Sequence, residues 1–277
     1  MAATTSTTLD DLFANIILQA RFTAEEQSLM AGLITRYDIG NVAGKTIQVP
    51  KYPSVAAAAL TEGTDMSSST VSTTGVTVTV AEVGAQVLLT DMAAFGAGNP
   101  AQELGTVLGN SIATKMDQDI IALFDGFSTS IGAAAQEITA ADIFKAAATL
   151  RNAKAPGQYV AVLHPYHAYQ LSANLTNTFA NPNGGELQNE AMRNGFVGSI
   201  AGVDVYQSAN ITPDASDDAK GAVFAPEALC IAMKRDFNLE TQRDASMRAT
   251  ELNATAVYGV AELDDAYGVE MLFDASL

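Results

Sequence analysis

Residues 99–126 read NPAQELGTVLGNSIATKMDQDIIALFDG. Leu104, Leu108, Ile112, Met116, Ile120, Leu123 and Phe127 recur at spacings of three and four, which places them on one face of a helix. Asn99 suits the N-cap, Pro100 the first helical position, and Gln102 the capping-box position that reaches back. Gly126 supplies the stop. At 1.5 Å per residue the helix is about 39 Å long, the span of a whole subunit. That length points to a structural or assembling protein rather than a compact enzyme.

Upstream, Gly75–Thr90 reads as a long strand. Val76, Val78 and Val80 alternate with Thr77 and Thr79, and then the apolar phase changes to Val83, Ala85, Val87 and Leu89. Gly84 beside that change predicts a β-bulge. Lys45–Ser54 is extended, with Pro50 and Pro53 excluding a helix or a central strand. Between the two runs, Ala56–Thr74 is a low-complexity tip of Ala, Thr and Ser. The expectation is a projecting hairpin that needs a partner surface. Residues 1–8 are Thr/Ser/Ala-rich, and short helices at Leu9–Gln19 and Ala24–Leu33 complete an arm.

Downstream, Thr139 caps a helix to about Arg151, with Ile143, Phe144, Ala147 and Leu150 inward. Tyr159–Leu163 is an apolar strand, and Pro165 opens a helix to about Leu175. Asn181–Gly185 is a loop. Val203–Tyr206 is a strand after a bend at Gly202, and Thr212–Gly221 is an acidic loop. Ala222–Ala232 (interrupted at Pro226), Phe237–Gln242, Met247–Leu263 and Gly268–Phe273 read as strands.

Composition narrows the class. Charged residues are 16% of the 277, below the usual quarter, and 48% are hydrophobic. Small side chains fill the gap, as on a surface covered by other subunits. Net charge is -17, from 31 acidic and 14 basic residues. This excludes nucleic-acid binding through a basic patch and docking on an anionic membrane. Cys230 is the sole cysteine, so no intrachain disulfide forms, and its apolar flanks predict a buried inert thiol. The first twenty residues, with Asp10 and Asp11 and no positive n-region, do not read as a secretory signal. No apolar run approaches a membrane span.

No motif assigns chemistry. Gly96-Ala-Gly98-Asn-Pro-Ala101 matches a dinucleotide-binding pattern, but Asp91–Phe95 separates it from the preceding strand. The acidic residues that follow, Asp117 and Asp119, lie inside the helix instead of ending a second strand. The glycines read as a turn. His164 and His167 lack local acidic or cysteine partners for a metal, and a strand-to-helix corner with His164 capping explains them. Asp214, Asp217 and Asp218 lack the pattern of a calcium loop. Hence no catalytic, cofactor-binding or metal-ligating residue is assigned, no cofactor is expected, and the chain reads as a non-enzyme.

The order of arm, long hairpin, long helix, α/β segment and returning strands resembles the major capsid protein of tailed bacteriophages, the HK97-like fold. Tyr159–Pro165 (YVAVLHP) is similar to that family's strand entering a helix at a His-Pro corner. Gly195–Ile211 (GFVGSIAGVDVYQSANI), Ala222–Ala232 (AVFAPEALCIA) and Met247–Phe273, with Tyr258-Gly259-Val260, resemble its later strands. The resemblance implies an α+β fold with a long spine helix, an extended β-hairpin loop, and peripheral and axial domains. It implies an N-terminal arm at 1–43, the extended loop at 44–92, and the spine helix with the first peripheral part at 93–136. The axial α/β domain follows at 137–235 and the second peripheral part at 236–277.

The implied function is a major capsid protein that self-assembles, in the host cytoplasm, into the icosahedral head of the virion around double-stranded DNA. Implied partners are other copies in pentamers and hexamers, with scaffolding, portal and cement or decoration proteins beside them. Neither sequence-specific nucleic-acid binding nor membrane contact is expected. Covalent cross-linking through Lys51 or another lysine stays open, and it requires an apolar pocket that the sequence does not show. An encapsulin-type compartment shares the fold and stays open, and an α/β enzyme is the alternative from another class.

Overall fold

The computed structural model describes residues 29–40, 43–53, 55–57, 59–63, 65, 68, 70–91, 100–178 and 198–276. The expectations for residues 1–28, the Gly96–Gly98 turn, the Asn99 cap and the 181–185 loop lie outside them, as does the side chain of Gln102. In chain order the elements are β1 (Thr35–Asp38), β2 (Thr46–Lys51), β3 (Thr74–Thr79), β4 (Ala81–Thr90), α1 (Pro100–Ile121), β5 (Ser130–Gly132) and α2 (Ala140–Asn152). There follow β6 (Tyr159–Leu163), α3 (Pro165–Thr178), β7 (Ser199–Ile200), β8 (Val203–Gln207), β9 (Asp218–Phe224), β10 (Leu229–Asp244), β11 (Ala249–Glu262) and β12 (Gly268–Asp274).

The strands form three sheets: β1-β10-β11-β4, β5-β12-β9-β6-β8-β7, and the ribbon β2-β3. The centre of the six-stranded sheet is covered on both faces, so β6 reads as a continuous hydrophobic run. All five residues of β6 are buried. Val160, Val162, Ala222 and Phe224 face one core with Leu108, Ile112, Ile120 and Phe124 of the long helix and its continuation. Ala161, Leu163, Val223 and Ala225 face a second core closed by Ile143, Ala147 and Leu150 of α2.

The long helix is present, and its expected face is the buried one. Leu108, Ile112, Ile120 and Phe127 are core residues, and Leu104, Met116 and Leu123 pack against them. It tightens into a 3-10 turn over Ala122–Gly126, a common way to end a helix. α2 begins at a reciprocal Thr139–Asp142 capping box, in which the Asp142 carboxylate accepts the Thr139 amide at 3.0 Å.

Several expectations are corrected. Gly75–Thr90 is not one strand: it breaks at Val80, where β3 leaves the ribbon and β4 enters the four-stranded sheet. The change of apolar phase marks that crossing. β4 pairs with β11 in unbroken register through Gly84, so no bulge lies there. The bulges lie in β10, between Met233 and Asn238. Phe237–Gln242 is the second half of β10. Ala222–Ala232 divides at Pro226 between two sheets, and β11 and β12 likewise separate into different sheets. Met30–Gly32 is a 3-10 turn, not the end of a regular helix. Phe144 is 54% exposed, and Ala146 takes its inward place.

Candidate assembly surface

The hairpin is anchored at its base by the chain itself. β2 and β3 pair from Thr46–Thr79 to Lys51–Thr74. Val78 and Val80 bury against Cys230 and Ala232, with Ile47, Val257, Ala261 and Leu263 around them. Those residues alternate along β10 and β11 with the ones facing α1, so hairpin and spine helix lie on opposite faces of the four-stranded sheet. Gly259 permits the close approach: a Cβ there would sit 2.3 Å from the Thr79 carbonyl oxygen. At the far end Lys51 Nζ lies 2.6 Å from Asp264 Oδ2. The cross-linking candidate therefore sits in an ion pair, half exposed, rather than in an apolar pocket.

Beyond Lys51 the tip is bare. Tyr52, Val55, Leu60 and Val71 are 51–70% exposed. Glu62 and Asp65 are its only charges. On the other side of the sheet a groove of about 630 Å³ runs between α1 and β4, lined by Val83, Gly84, Val107, Asn110, Ile112 and Lys115 among others. The Asn110 side-chain oxygen is buried there without a hydrogen-bond partner among the described residues.

The polar candidates have structural roles. His164 Nδ1 accepts the Tyr166 amide at 3.3 Å at the start of α3, as the capping reading expects. His167 is fully buried, with Nε2 3.1 Å from the Phe273 carbonyl, and burial lowers its pKa below the ordinary imidazole value. The two rings lie 5.9 Å apart, centre to centre. Asp218 is not part of a solvated loop: it is buried, and its carboxylate accepts the Ala135 amide at 2.7 Å. Asp214 accepts the amides of Ser216 and Asp218. Among the described residues no group of three or more His, Cys, Asp or Glu side chains is arranged to hold a metal. Cys230 is buried, and burial pushes its thiol up to about 11.

The periodicity missed Asp117. It sits on the buried face of α1 with 1% exposure, accepting the Met30 amide and the Asn210 side-chain amide, each at 3.3 Å. It ties the spine helix to the chain entering β1 and to the loop after β8. The only signal in the sequence was a carboxylate falling between Ala113 and Ile120 on the apolar stripe.

The family model described as phage capsid protein matches residues 73–270. The chain belongs to the phage capsid protein family. A solved structure from Mycobacterium phage Che8 is similar with a TM-score of 0.70 and 20% identity, covering 90% of this chain and 91% of that one. The capsid structure of cyanophage P-SCSP1u is similar at 0.68 and 18%, covering 88% and 87%. A virus-like particle from Pyrococcus furiosus is similar at 0.64 and 9%, covering 94% and 98%. No curated protein matches the sequence. The fold is the HK97-like capsid fold, and as a phage capsid protein the chain is a structural subunit that self-associates into the shell of the phage head.

Proposed function

We propose that this capsid protein builds its shell by overlapping subunits, the hairpin tip of each lying on a neighbour. The observation that carries the reading is the contrast along one hairpin: its base is buried on the chain's own sheet while its tip leaves four large apolar side chains bare. Under this reading 44–92 is the extended loop and 1–43 an arm reaching across subunits. The four-stranded sheet with α1 forms the peripheral domain, in 93–136 and most of 236–277, with β1 and β4 added from the inner ends of the arm and the loop and β10 entering from residue 229. The six-stranded sheet with α2 and α3 forms the axial domain around 137–235, and β12 joins it. Assembly takes place in the host cytoplasm, with scaffolding, portal and decoration proteins as partners, and the shell encloses double-stranded DNA without enzymatic activity. An encapsulin-type compartment shares this architecture, and packaged DNA in native particles distinguishes the two.

The test compares protease cleavage in free subunits and assembled particles. Residues 56–74, mostly small and polar, should be cut first in free subunits and be protected in particles. Equal cleavage in both states contradicts the overlap. A chain that sediments as a monomer at every salt concentration, with scaffold supplied, removes the assembly reading.

A further inference from the structure

We propose that His167 and Gln170 of α3 latch the chain leaving β12, residues 273–276, and that mild acid opens this latch while both main cores stay folded.

The two side chains stand one turn apart on α3, and each holds a carbonyl of that segment. His167 Nε2 lies 3.1 Å from the Phe273 oxygen, and Gln170 Nε2 donates to the Ser276 oxygen at 3.2 Å. The imidazole also meets the Phe273 ring edge-on, with centroids 6.2 Å apart. Two amides of the segment are held by loops: Asp274 donates to the Gln136 oxygen at 2.9 Å and Ala275 to the Asp217 oxygen at 2.6 Å. Ala275 is buried beneath these contacts.

The Phe273 carbonyl accepts, so Nε2 carries the imidazole proton. That leaves Nδ1 as a bare acceptor, closed off from water and without a partner among the described residues. A second proton would go to Nδ1, where its N–H would find neither an acceptor nor water. The titratable groups facing His167 are His164 at the start of its own helix, 5.9 Å away between ring centres, Asp218 at the start of β9 and Asp274 at the end of β12. The fields of the two carboxylates favour the charge, but both already accept backbone amides. Asp218 takes that of Ala135 at 2.7 Å, and Asp274 takes that of Ser276 at 2.7 Å with the Ser276 hydroxyl at 2.9 Å. His164 adds a like charge once it is protonated. A charged His167 is therefore accommodated by leaving its site, and leaving breaks the bond to Phe273. The closed latch is complete above about pH 6.5 and loosens as pH falls below it. An imidazole that protonates only when the latch is open raises the opening equilibrium by up to about thirtyfold at pH 5.

Hydrogen exchange of the full-length subunit reads the opening, with protection corrected for the intrinsic pH dependence of exchange. The Asp274 and Ala275 amides should lose protection about ten- to thirtyfold between about pH 7.5 and pH 5, while the amides of β6 keep theirs. His167→Gln keeps a donor for Phe273 without titrating, and should abolish the acid step. His164→Asn, which keeps an acceptor for the Tyr166 amide, should leave the step in place. Gln170→Ala, which removes the Ser276 bond, should lower protection at 274 and 275 at every pH. An acid step that persists in His167→Gln, that vanishes in His164→Asn, or that reaches β6 equally overturns the latch. Protection at 274 and 275 that is independent of pH in the parent, or unchanged by Gln170→Ala, overturns it as well.

Discussion

Gly259→Ala is the sharpest test of how the hairpin is held. The new Cβ would lie 2.3 Å from the Thr79 oxygen, 2.8 Å from its carbonyl carbon and 3.1 Å from the Val80 Cα. All three are backbone atoms of the hairpin root, so no side chain can rotate away. The root must move by about 1 Å to restore ordinary contact, and overpacking of this kind costs roughly 1–3 kcal/mol. A ceiling follows from letting the hairpin go. Val78 and Val80, 0% and 5% exposed, would then lose their burial, at about 1.5–3 kcal/mol each. At roughly 2–4 °C per kcal/mol for chains of this size, the midpoint should fall by about 2–12 °C.

Thermal unfolding of the unassembled subunit reads the shift, and protease digestion locates it. New cleavage should appear near residues 45–51 and 74–80 while the sheet behind stays intact. Gly32→Ala is the control: its Cβ would meet nothing within 4 Å. A Gly259→Ala subunit that melts like the parent and shows no new cleavage would refute the stacking of hairpin on sheet.

Three further outcomes are expected. Ile112→Asp puts an unpaired charge on a residue 2% exposed and should abolish soluble folded protein, whereas Gln118→Ala, on the exposed flank, should leave yield unchanged; soluble yield and circular dichroism read both. Burial lowers the His167 pKa below the ordinary imidazole value, outweighing the Phe273 carbonyl, Asp274 and Asp218, which act the other way. Its contribution is complete above about pH 6.5 and is lost as pH falls toward the folded value, at up to ~1.4 kcal/mol per pH unit; urea unfolding of His167→Gln should show a shallower decline over that range, and identical slopes would count against it. Each subunit carries -17, so light scattering should show assembly strengthening from about 0.01 M to 0.1 M salt as the screening length shortens from about 30 to 10 Å; steady weakening would mean that complementary ion pairs dominate the contacts.

Regular periodicity made much of the fold legible. The α1 stripe, the Thr139 cap, the Tyr159–Leu163 run and the His164 corner all express local rules, and each stands in the structure. What stayed hidden depends on which sheet a strand joins. Val80 and Ala225–Ala228 are places where the chain changes sheets, and a change of sheet looks in sequence like a bulge or a proline interruption. β10 appeared as two strands because its bulges scramble the alternation that identifies a strand. The bonds of Asp117 and Asp218 left no mark in the sequence, because the Met30 and Ala135 amides that they accept are backbone groups that every residue but proline carries. The groove between α1 and β4 was illegible for a related reason: it is made by a helix flank and a strand edge that meet only in three dimensions.

The sheets bear on the overlap reading, which gives the hairpin the contact with neighbours. β10 runs unbroken across the 235/236 boundary, and β12 returns to the sheet that holds β6 and β9. β6 and β9 contribute alternate residues to both main cores, so neither core can open without exposing the other. The hairpin's anchoring divides along its length: Val78, Val80 and the Lys51–Asp264 pair hold the base, while Tyr52, Val55, Leu60 and Val71 are exposed. Burying a Val, Leu or aromatic side chain is worth about 1.5–3 kcal/mol, and the tip presents four of them on a chain with few charged groups. Repeated round a closed ring, contacts of that size can outweigh the like-charge repulsion between subunits once salt has screened it. The low charge density and the bare hairpin tip are therefore two expressions of one requirement, that most of the association energy be apolar.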